Sequence, residues 1–320
     1  MHGLDVTVER QPLARVPRPT VEEETSIAVI GDPHVSTRGE GGQRLPEHSE
    51  EHFRKAIADI NGRDIVATVS VGDLSANGGP WDFDAIDGIL ADLESPFVSI
   101  PGNHDVPSTS SADHEVLPQA EFEERYAGGS VPFVREFAGV ELVGLDSMRL
   151  QRNLGGEREA EQIAWLDDTL DGLEDPIVML HHPLPGITEW LKTYEQRVED
   201  FSMPGLWENP GPLLDTLERH DVSLVLSGHK HIPGVAQTRG VWETMAPSTC
   251  TFPQGYLLVN IGPSGTDVSF VPVADRDGLE EAFLRRYTAF VKTRLYASAG
   301  AVILSSPAVD ARTDDPDASP

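Results

Sequence analysis

Five short apolar runs along the chain each end abruptly in polar residues. Val, Ile and Leu dominate these runs, which cover residues 26–31, 65–71, 97–100, 177–180 and 222–227. Apolar runs of four to eight residues are typical of strands that are buried on both faces. We therefore predict a β-strand at each of the five positions.

Between and after these strands the apolar residues recur every three or four positions, which predicts amphipathic helices. The clearest examples cover residues 50–61, 81–93, 157–173 and 279–296. Phe53, Ile57 and Ile60 show the spacing, and we expect them in the core rather than at a site. Residues 131–135 and 140–145 are predicted to form a hairpin, and residues 240–245, 256–261 and 268–271 to form further strands.

Side chains that bind metal ions follow directly after each of the five predicted strands. The strings are Asp32-Pro33-His34, Gly72-Asp73, Gly102-Asn103-His104-Asp105, His181-His182-Pro183 and Gly228-His229-Lys230-His231. Any one of them could be a simple turn, because Asn, Asp and Gly are common turn formers. Open α/β sheets, however, carry their ligands at the carboxyl ends of strands, so five such ends together indicate a metal site. If residues 229–231 are extended, His229 and His231 face the site and Lys230 faces away.

Taken in this order, the five strings resemble the calcineurin-like metallophosphoesterase superfamily, over roughly residues 26–262. Two further stretches support the resemblance. They are Leu145-Asp146-Ser147 followed by Gln162, Trp165 and Leu166, and residues 246–249. The implied fold is α/β, with two packed mixed β-sheets flanked by α-helices in a four-layer sandwich.

The resemblance implies a centre of two divalent metal ions. Asp73 would lie between the ions, one of which would take Asp32, His34 and His231 and the other Asn103, His181 and His229. No thiolate is among these ligands, so Mn, Fe, Zn or Co suits the site. The first histidine of the pair 181–182 is taken as the ligand because related families keep it two residues before the proline, which leaves the role of His182 open.

Two residues of the third string are expected to be catalytic by the same resemblance. His104 would polarise a phosphoryl oxygen or protonate the leaving alkoxide, which is general acid catalysis. Asp105 would orient the imidazole of His104. Together they predict a metal-dependent phosphoric ester hydrolase.

Differences from known subfamilies narrow the range of expected substrates. Ala76 stands where purple acid phosphatases place a tyrosine, and residues 74–78 lack the Asp-Arg-Gly string of the protein Ser/Thr phosphatases. The Asn-His-Asp string is similar to that of class III cyclic-nucleotide phosphodiesterases and also to that of double-strand-break repair nucleases. We expect hydrolysis of a small phosphodiester such as a cyclic nucleotide. The alternatives are a phosphomonoesterase, a nuclease and a non-catalytic binding module.

The preference for a diester rests on two expectations about the surroundings of the site. Arg38 and Arg44 are the only cations near a ligand in sequence that are not plainly aimed away, whereas a monoester dianion asks for more positive charge. A long loop, residues 185–211, is expected near the site. Its aromatic residues, which could stack on an organic group, are Trp190, Tyr194, Phe201 and Trp207.

Composition limits the partners and the cellular compartment. The net charge is −29, with 53 acidic and 24 basic residues, and the four lysines are Lys55, Lys192, Lys230 and Lys292. This surface argues against nucleic acid as a partner and suggests a halophilic protein, since molar salt shortens the Debye length to about 3 Å. Cys250 is the single cysteine, which fits a cytoplasmic location. No apolar segment reaches the ~18 residues of a membrane span, so we expect no membrane partner. The expected partner is a small phosphate ester, the substrate that the resemblance implies.

Four segments are predicted along the chain. Residues 1–25 form an extended or weakly ordered lead-in, residues 26–275 the metallophosphoesterase domain, residues 276–304 a helix packed on the core and residues 305–320 a disordered acidic tail. The helix could instead make a subunit contact, which would give a homodimer.

Overall fold

Two β-sheets packed against each other form the centre of the protein. The structure, a computed structural model, describes residues 10–107, 114–151, 156–195 and 207–312. The strands are β1 (Gln11–Val16), β2 (Thr25–Ile30), β3 (Ala67–Ser70), β4 (Phe97–Ser99), β5 (Phe133–Phe137), β6 (Val140–Gly144), β7 (Ile177–Met179), β8 (Leu224–Ser227), β9 (Gly234–Thr238), β10 (Val241–Met245), β11 (Gly255–Gly262), β12 (Gly265–Pro272) and β13 (Val309–Asp310).

Both sheets mix parallel and antiparallel pairs. The first has seven strands in the order β13, β1, β12, β11, β2, β3, β4, and β2, β3 and β4 run parallel. The second has six strands in the order β5, β6, β7, β8, β10, β9, with β6, β7, β8 and β10 parallel. All five predicted ligand strands lie in these parallel parts, so their carboxyl ends can deliver side chains to a common place.

Helices cover the outer faces of the sheets. They are α1 (Ser49–Asn61), α2 (Pro80–Leu90), α3 (Gln119–Phe122), α4 (Ser147–Gln151), α5 (Gly156–Leu170), α6 (Pro185–Glu195), α7 (Gly211–Arg219), α8 (Arg276–Ala289) and α9 (Val291–Ser305). The predicted α/β fold of two mixed sheets flanked by helices is confirmed. Within the described ranges, no helix is both long and apolar enough to cross a membrane.

Strand β2 shows why the ligand strands carry no charged residues. Its residues Ile27 and Val29 pack into the core between the two sheets, whereas Ala28 and Ile30 pack with Phe53 and other residues of the outer helices. Successive residues of a strand point to opposite faces, and here both faces are buried. The continuous apolar run is therefore what this position in the sandwich requires.

Three predictions about segments of the chain are wrong. The lead-in contains β1, which pairs with β12 and with β13, so parts of both predicted flanking segments belong to the first sheet. The single C-terminal helix is two helices, α8 and α9. Residues 185–195 form α6 instead of a loop, because Ile187 and Leu191 stand one turn apart and both are buried. Phe201 and residues 313–320 lie outside the described residues.

Candidate metal centre

The loops that carry the predicted ligands have an unusual backbone. Asp32, His34, Asp73, His229 and His231 have φ angles of 48°, 44°, 55°, 72° and 60°. A left-handed conformation in a residue other than glycine costs on the order of 1–3 kcal/mol and tends to occur at functional sites. The extended segment predicted for residues 229–231 is therefore wrong, because β8 ends at Ser227 and the chain turns.

One group of donor atoms combines both halves of the sandwich. His34 Nε2 lies 3.0 Å from His231 Nε2, and Asp32 Oδ1 lies 3.2 Å from His231 Nε2. The four side chains of this group, Asp32, His34, Asp73 and His231, offer donor atoms that all lie within 4.8 Å of one another, and all four are buried. The structure thus brings together the residues predicted for the first ion.

A second group meets on the neighbouring side. Asn103 Oδ1 lies 3.2 Å from His181 Nε2 and 3.0 Å from His229 Nδ1. His181 Nδ1 is held by the carbonyl oxygen of Val71 at 2.8 Å, which leaves Nε2 directed at Asn103. These are the residues predicted for the second ion.

Asp73 stands between the two groups. Its Oδ2 lies 3.5 Å from His34 Nε2 and 3.3 Å from His181 Nε2. Its Oδ1 accepts a hydrogen bond of 2.8 Å from the main-chain amide of His104. The carboxylate is therefore fixed where it can contact an ion on either side.

The donor atoms fit the metal ions that the sequence suggests. Ligands at about 2.0–2.2 Å from a common ion lie roughly 3.0–3.5 Å apart, and the measured separations fall mostly in that range. The set consists of carboxylate oxygens, an amide oxygen and imidazole nitrogens, which suits Mn, Fe, Zn or Co. The assignment of individual ligands to each ion stays a prediction.

Burial controls the charge of these groups. Burial raises the pKa of Asp32 to about 8. Burial also works to lower the pKa of His181, but the carboxylate of Asp73 outweighs it and raises that pKa to about 9. Burial holds the pKa values of His34, His229 and His231 well below the usual range, so these rings are neutral, which is the form that binds metal ions.

Two glycines allow the loops to approach each other this closely. A Cβ on Gly228 would lie 2.7 Å from Asp32 Oδ2, and a Cβ on Gly102 would overlap the carboxylate of Asp73. The glycines that precede His229 and Asn103 are therefore required by the ligands of the other loops.

His104 lies at the edge of the cluster, and Asp105 does not orient it. The imidazole Nδ1 of His104 lies 2.7 Å from the carbonyl oxygen of Ala76, and Nε2 lies 3.2 Å from Nη2 of Arg44. The carboxylate of Asp105 instead accepts hydrogen bonds from the amides of Ser75 and Gly102, at 2.8 and 3.0 Å. The predicted contact between Asp105 and the imidazole is therefore wrong, and Asp105 fixes the two loops that carry Asp73 and Asn103.

His182, whose role the sequence left open, lies beside the second group. Its donor atom is within 4.8 Å of those of His181 and His229, and its ring centroid lies 4.4 Å from that of His229. Its Nδ1 lies 2.9 Å from Oγ of Ser147. This places Ser147, part of the supporting stretch 145–147, in contact with the site.

A cavity of about 240 Å³ opens above the donor groups. The residues that line it differ from those that the sequence predicts. Its lining residues are Gln43, Arg44, Asp73, His104, His229, Lys230, His231, Arg286, Phe290, Lys292, Thr293 and Tyr296. Lys230 is 3% exposed and lines the cavity, so the prediction that it faces away is wrong. The left-handed turn at residues 229 and 231 removes the strand alternation on which that prediction rested.

The C-terminal helices supply residues that the sequence did not reveal. Arg286 of α8 and Lys292 of α9 line the cavity, so the expectation of few cations near the site is wrong. The aromatic residues there are Phe290 and Tyr296. Of the predicted aromatics, Trp190 and Tyr194 pack beside α9, and Trp207 Nε1 donates to the carbonyl oxygen of Pro183 at 2.6 Å.

Comparison with known proteins shows which family this chain is similar to. A sequence model of the calcineurin-like phosphoesterase family matches residues 25–233. A "probable cyclic nucleotide phosphodiesterase" of Synechococcus sp. is 29% identical over 227 residues, covering 66% of this chain and 78% of that protein. A "probable glycerophosphodiester phosphodiesterase" of Arcobacter nitrofigilis is 26% identical over 212 residues, covering 64% of this chain and 71% of that protein.

Among solved structures, a dimetal phosphatase from Danio rerio has a similar fold. The TM-score is 0.56 at 16% identity, and the match covers 78% of this chain and 99% of the other. The matched family segment ends at residue 233, before α8 and α9 begin. The helices that complete the cavity therefore lie outside it.

Proposed function

The chain belongs to the calcineurin-like phosphoesterase family and is a hydrolase, and from this premise we propose that it is a two-metal phosphodiesterase acting on a small phosphodiester. The observation that supports the two-metal site best is the position of Asp73 Oδ2, 3.5 Å from His34 Nε2 and 3.3 Å from His181 Nε2. A carboxylate that lies between imidazoles of both donor groups suits a shared ligand.

The residues divide into two metal-binding sets in this proposal. Asp32, His34 and His231 would hold one ion, Asn103, His181 and His229 the other, and Asp73 both. Two such ions, when bound, neutralise the charge of a phosphate ester and lower the pKa of a water molecule. The metals suited to this set are Mn, Fe, Zn and Co.

His104 and Arg44 act on the substrate from the cavity side. Because Nδ1 of His104 donates to a carbonyl oxygen, Nε2 is the atom that, once the ring is protonated, can pass a proton to the leaving alkoxide. Burial lowers the pKa of His104, and the neighbouring Asp73 opposes that shift. Arg44, beside Nε2, is placed to bind a phosphoryl oxygen. Asp105 acts indirectly by holding the loops of the ligands.

A cyclic nucleotide or a glycerophosphodiester is the substrate class to test first, because relatives carry those names. The cationic walls remove one argument that the sequence offered for a diester. A phosphomonoesterase on the same site is therefore the second candidate, favoured by Arg44, Lys230 and Lys292 in the cavity.

The experiment compares diesters with a monoester under one metal condition. Bis(4-nitrophenyl) phosphate and cyclic nucleotides are assayed beside 4-nitrophenyl phosphate with Mn-loaded protein, and kcat/KM is measured for each. We expect the diesters to be preferred. A tenfold preference for the monoester, about 1.4 kcal/mol of transition-state binding, would refute the diesterase and leave the metal site standing.

A further inference from the structure

The cavity concentrates positive charge in a protein that has little of it. The chain has four lysines and a net charge of −29, yet two of those lysines, Lys230 and Lys292, line this one cavity. Arg44 and Arg286 line it as well. Positive charge gathered in a cleft raises the local concentration of anions.

The two cavity lysines differ from the two surface lysines in their partners. Lys55 Nζ lies 2.7 Å from Glu51, and Lys192 Nζ lies 2.6 Å from Glu189. Within the part of the chain that the structure describes, Lys230 and Lys292 have no carboxylate within 4.0 Å. Both lie near the ring of Tyr296, whose centroid is 5.9 Å from Lys230 Nζ and 5.8 Å from Lys292 Nζ.

The surroundings of Lys292 make its charged form energetically unfavourable unless an anion is bound. Lys292 is partly buried, and burial lowers its pKa. The positive charges of Arg44 and Arg286 lower this pKa further. Like charges that are brought together and partly removed from water repel one another, and a bound anion relieves this repulsion. Arg286 is already occupied, since it donates to the main-chain oxygens of Lys230 and His231.

The positions of the cations separate two parts of the cavity. Arg44 lies against His104, next to the donor atoms, whereas Lys292 lies on α9 beside Tyr296, outside the matched family segment. A substrate whose phosphate sits at the donor atoms would reach Lys292 with its other end.

We propose that Lys292, supported by Lys230, forms a binding site for a second anionic group of the substrate, a carboxylate or phosphate distinct from the phosphate that is hydrolysed. This inference rests on the proposed function only in taking the cavity as the substrate site. It makes Lys292 a specificity-determining residue contributed by the C-terminal helices.

The test uses two dialkyl phosphinates as probes, which carry one negative charge like a phosphodiester but have no ester bond to break. One ends in a carboxylate and the other in the corresponding amide. Their affinities for the Mn-loaded full chain are measured by titration calorimetry. We expect the carboxylate to bind about tenfold more tightly, the typical effect of one hydrogen bond to a charged group.

Three variants assign this preference to a residue. Lys292→Met should reduce it to about twofold or less, and Lys292→Arg should retain most of it. Lys192→Met removes a lysine that is paired on the surface of α6 and should leave the preference at its original value. No preference in the unmodified protein, an undiminished preference in Lys292→Met, equal losses for both probes, or no binding of either probe would each overturn the proposal.

Hydrolysis of bis(4-nitrophenyl) phosphate, measured on the same protein, separates the two proposals. A carboxylate preference that depends on Lys292, found together with no hydrolysis, would refute the diesterase and retain the anion site. Hydrolysis without the preference would refute the anion site and retain the diesterase.

Discussion

Arg286 donates a hydrogen bond of 2.7 Å from Nη1 to the main-chain carbonyl oxygen of His231. The same guanidinium donates to the carbonyl oxygens of Lys230, at 2.7 Å, and of Phe252. Arg286 is 1% exposed, and burial lowers its pKa to about 10, so it stays charged at neutral pH. A residue of α8 thus holds the left-handed turn that carries a predicted metal ligand.

We expect Arg286→Met to weaken both the fold and the metal site. Three carbonyl groups lose their donor, which should lower the free energy of unfolding by about 3 kcal/mol. Because residues that orient ligands affect metal affinity by about 10–100-fold, Mn affinity should fall by at least tenfold. Denaturant unfolding and Mn titration measure the two effects.

Two further variants control this experiment. Arg286→Lys keeps the charge and should retain part of the affinity. Arg285→Met removes the neighbouring arginine, which pairs with Glu281 on the surface, and should change neither quantity beyond about 0.5 kcal/mol. Unchanged Mn affinity in folded Arg286→Met would show that the turn does not need this arginine.

Asp73→Ala should lose both metal ions, since the carboxylate lies between the two donor groups. Elemental analysis should find two ions per unmodified chain and close to none in the variant. Chelation should abolish hydrolysis and Mn restore it. Asp82→Ala, which removes another buried carboxylate that accepts from Thr37, should keep both ions. Full activity with one ion or none would disprove the two-metal site.

His104→Ala should slow poor leaving groups far more than good ones. If Nε2 protonates the alkoxide, alkyl esters should lose about 10²–10⁴-fold in kcat, and nitrophenyl esters, whose leaving group needs little protonation, much less. His220→Ala, on a histidine that pairs with Asp167, serves as the control. Equal losses for both ester types would leave His104 an electrostatic or structural role.

Glu243 should make the fold less stable as the pH rises. Burial raises its pKa from 4.5 to about 8, and Ser227 and the amide of Leu184 donate to Oε1. Below pH 4.5 the group is protonated in both the folded and the unfolded chain, and its contribution is complete. Between 4.5 and about 8 only the unfolded chain loses the proton, so stability falls by about 1.4 kcal/mol per pH unit.

Glu243→Gln tests this pH dependence because the amide stays neutral at every pH. Between pH 6 and pH 8, its free energy of unfolding should fall by about 2 kcal/mol less than that of the unmodified protein. Glu280→Gln, at an exposed position, should follow the unmodified protein. Parallel pH curves for the two variants would contradict a buried protonated Glu243.

Salt should stabilise the fold. The 53 acidic residues repel one another, and raising the ionic strength from 0.1 M to 1 M shortens the Debye length from about 10 Å to about 3 Å. The melting temperature should therefore rise from dilute to molar KCl, and equally in NaCl, because screening depends on ionic strength. A flat or falling melting temperature would remove the argument for a halophilic protein.

The sequence predicts the ligand loops well because each combines a strand end with ligand side chains. Parallel strands bring such ends to one edge of a sheet. Asp32, Asp73 and Asn103, which follow the neighbouring parallel strands β2, β3 and β4, therefore lie close together. The orientation of side chains inside the loops is less predictable. Lys230 and Asp105 lie in turns, where neither the strand period nor the helix period applies.

The cavity wall made by α8 and α9 could not be found from motifs. Arg286 and Lys292 stand on helices whose pattern indicates only packing, and nothing in their neighbourhood resembles a site. One signal was present. In a chain with four lysines, each lysine is informative, and Lys292 and Lys230 are half of them.

The hydrogen bonds from α8 to the loop of His231 also have a consequence for biosynthesis. A ribosome joins all seven predicted ligands to the growing chain before it reaches Arg286, since Arg286 follows them in sequence. At the moment when β12 emerges, the turn of His229 and His231 still lacks two of its hydrogen bonds. If these residues hold the metal ions as proposed, ion capture in the native geometry would come after α8 has been synthesised and has docked, and metal loading would be a late event in maturation.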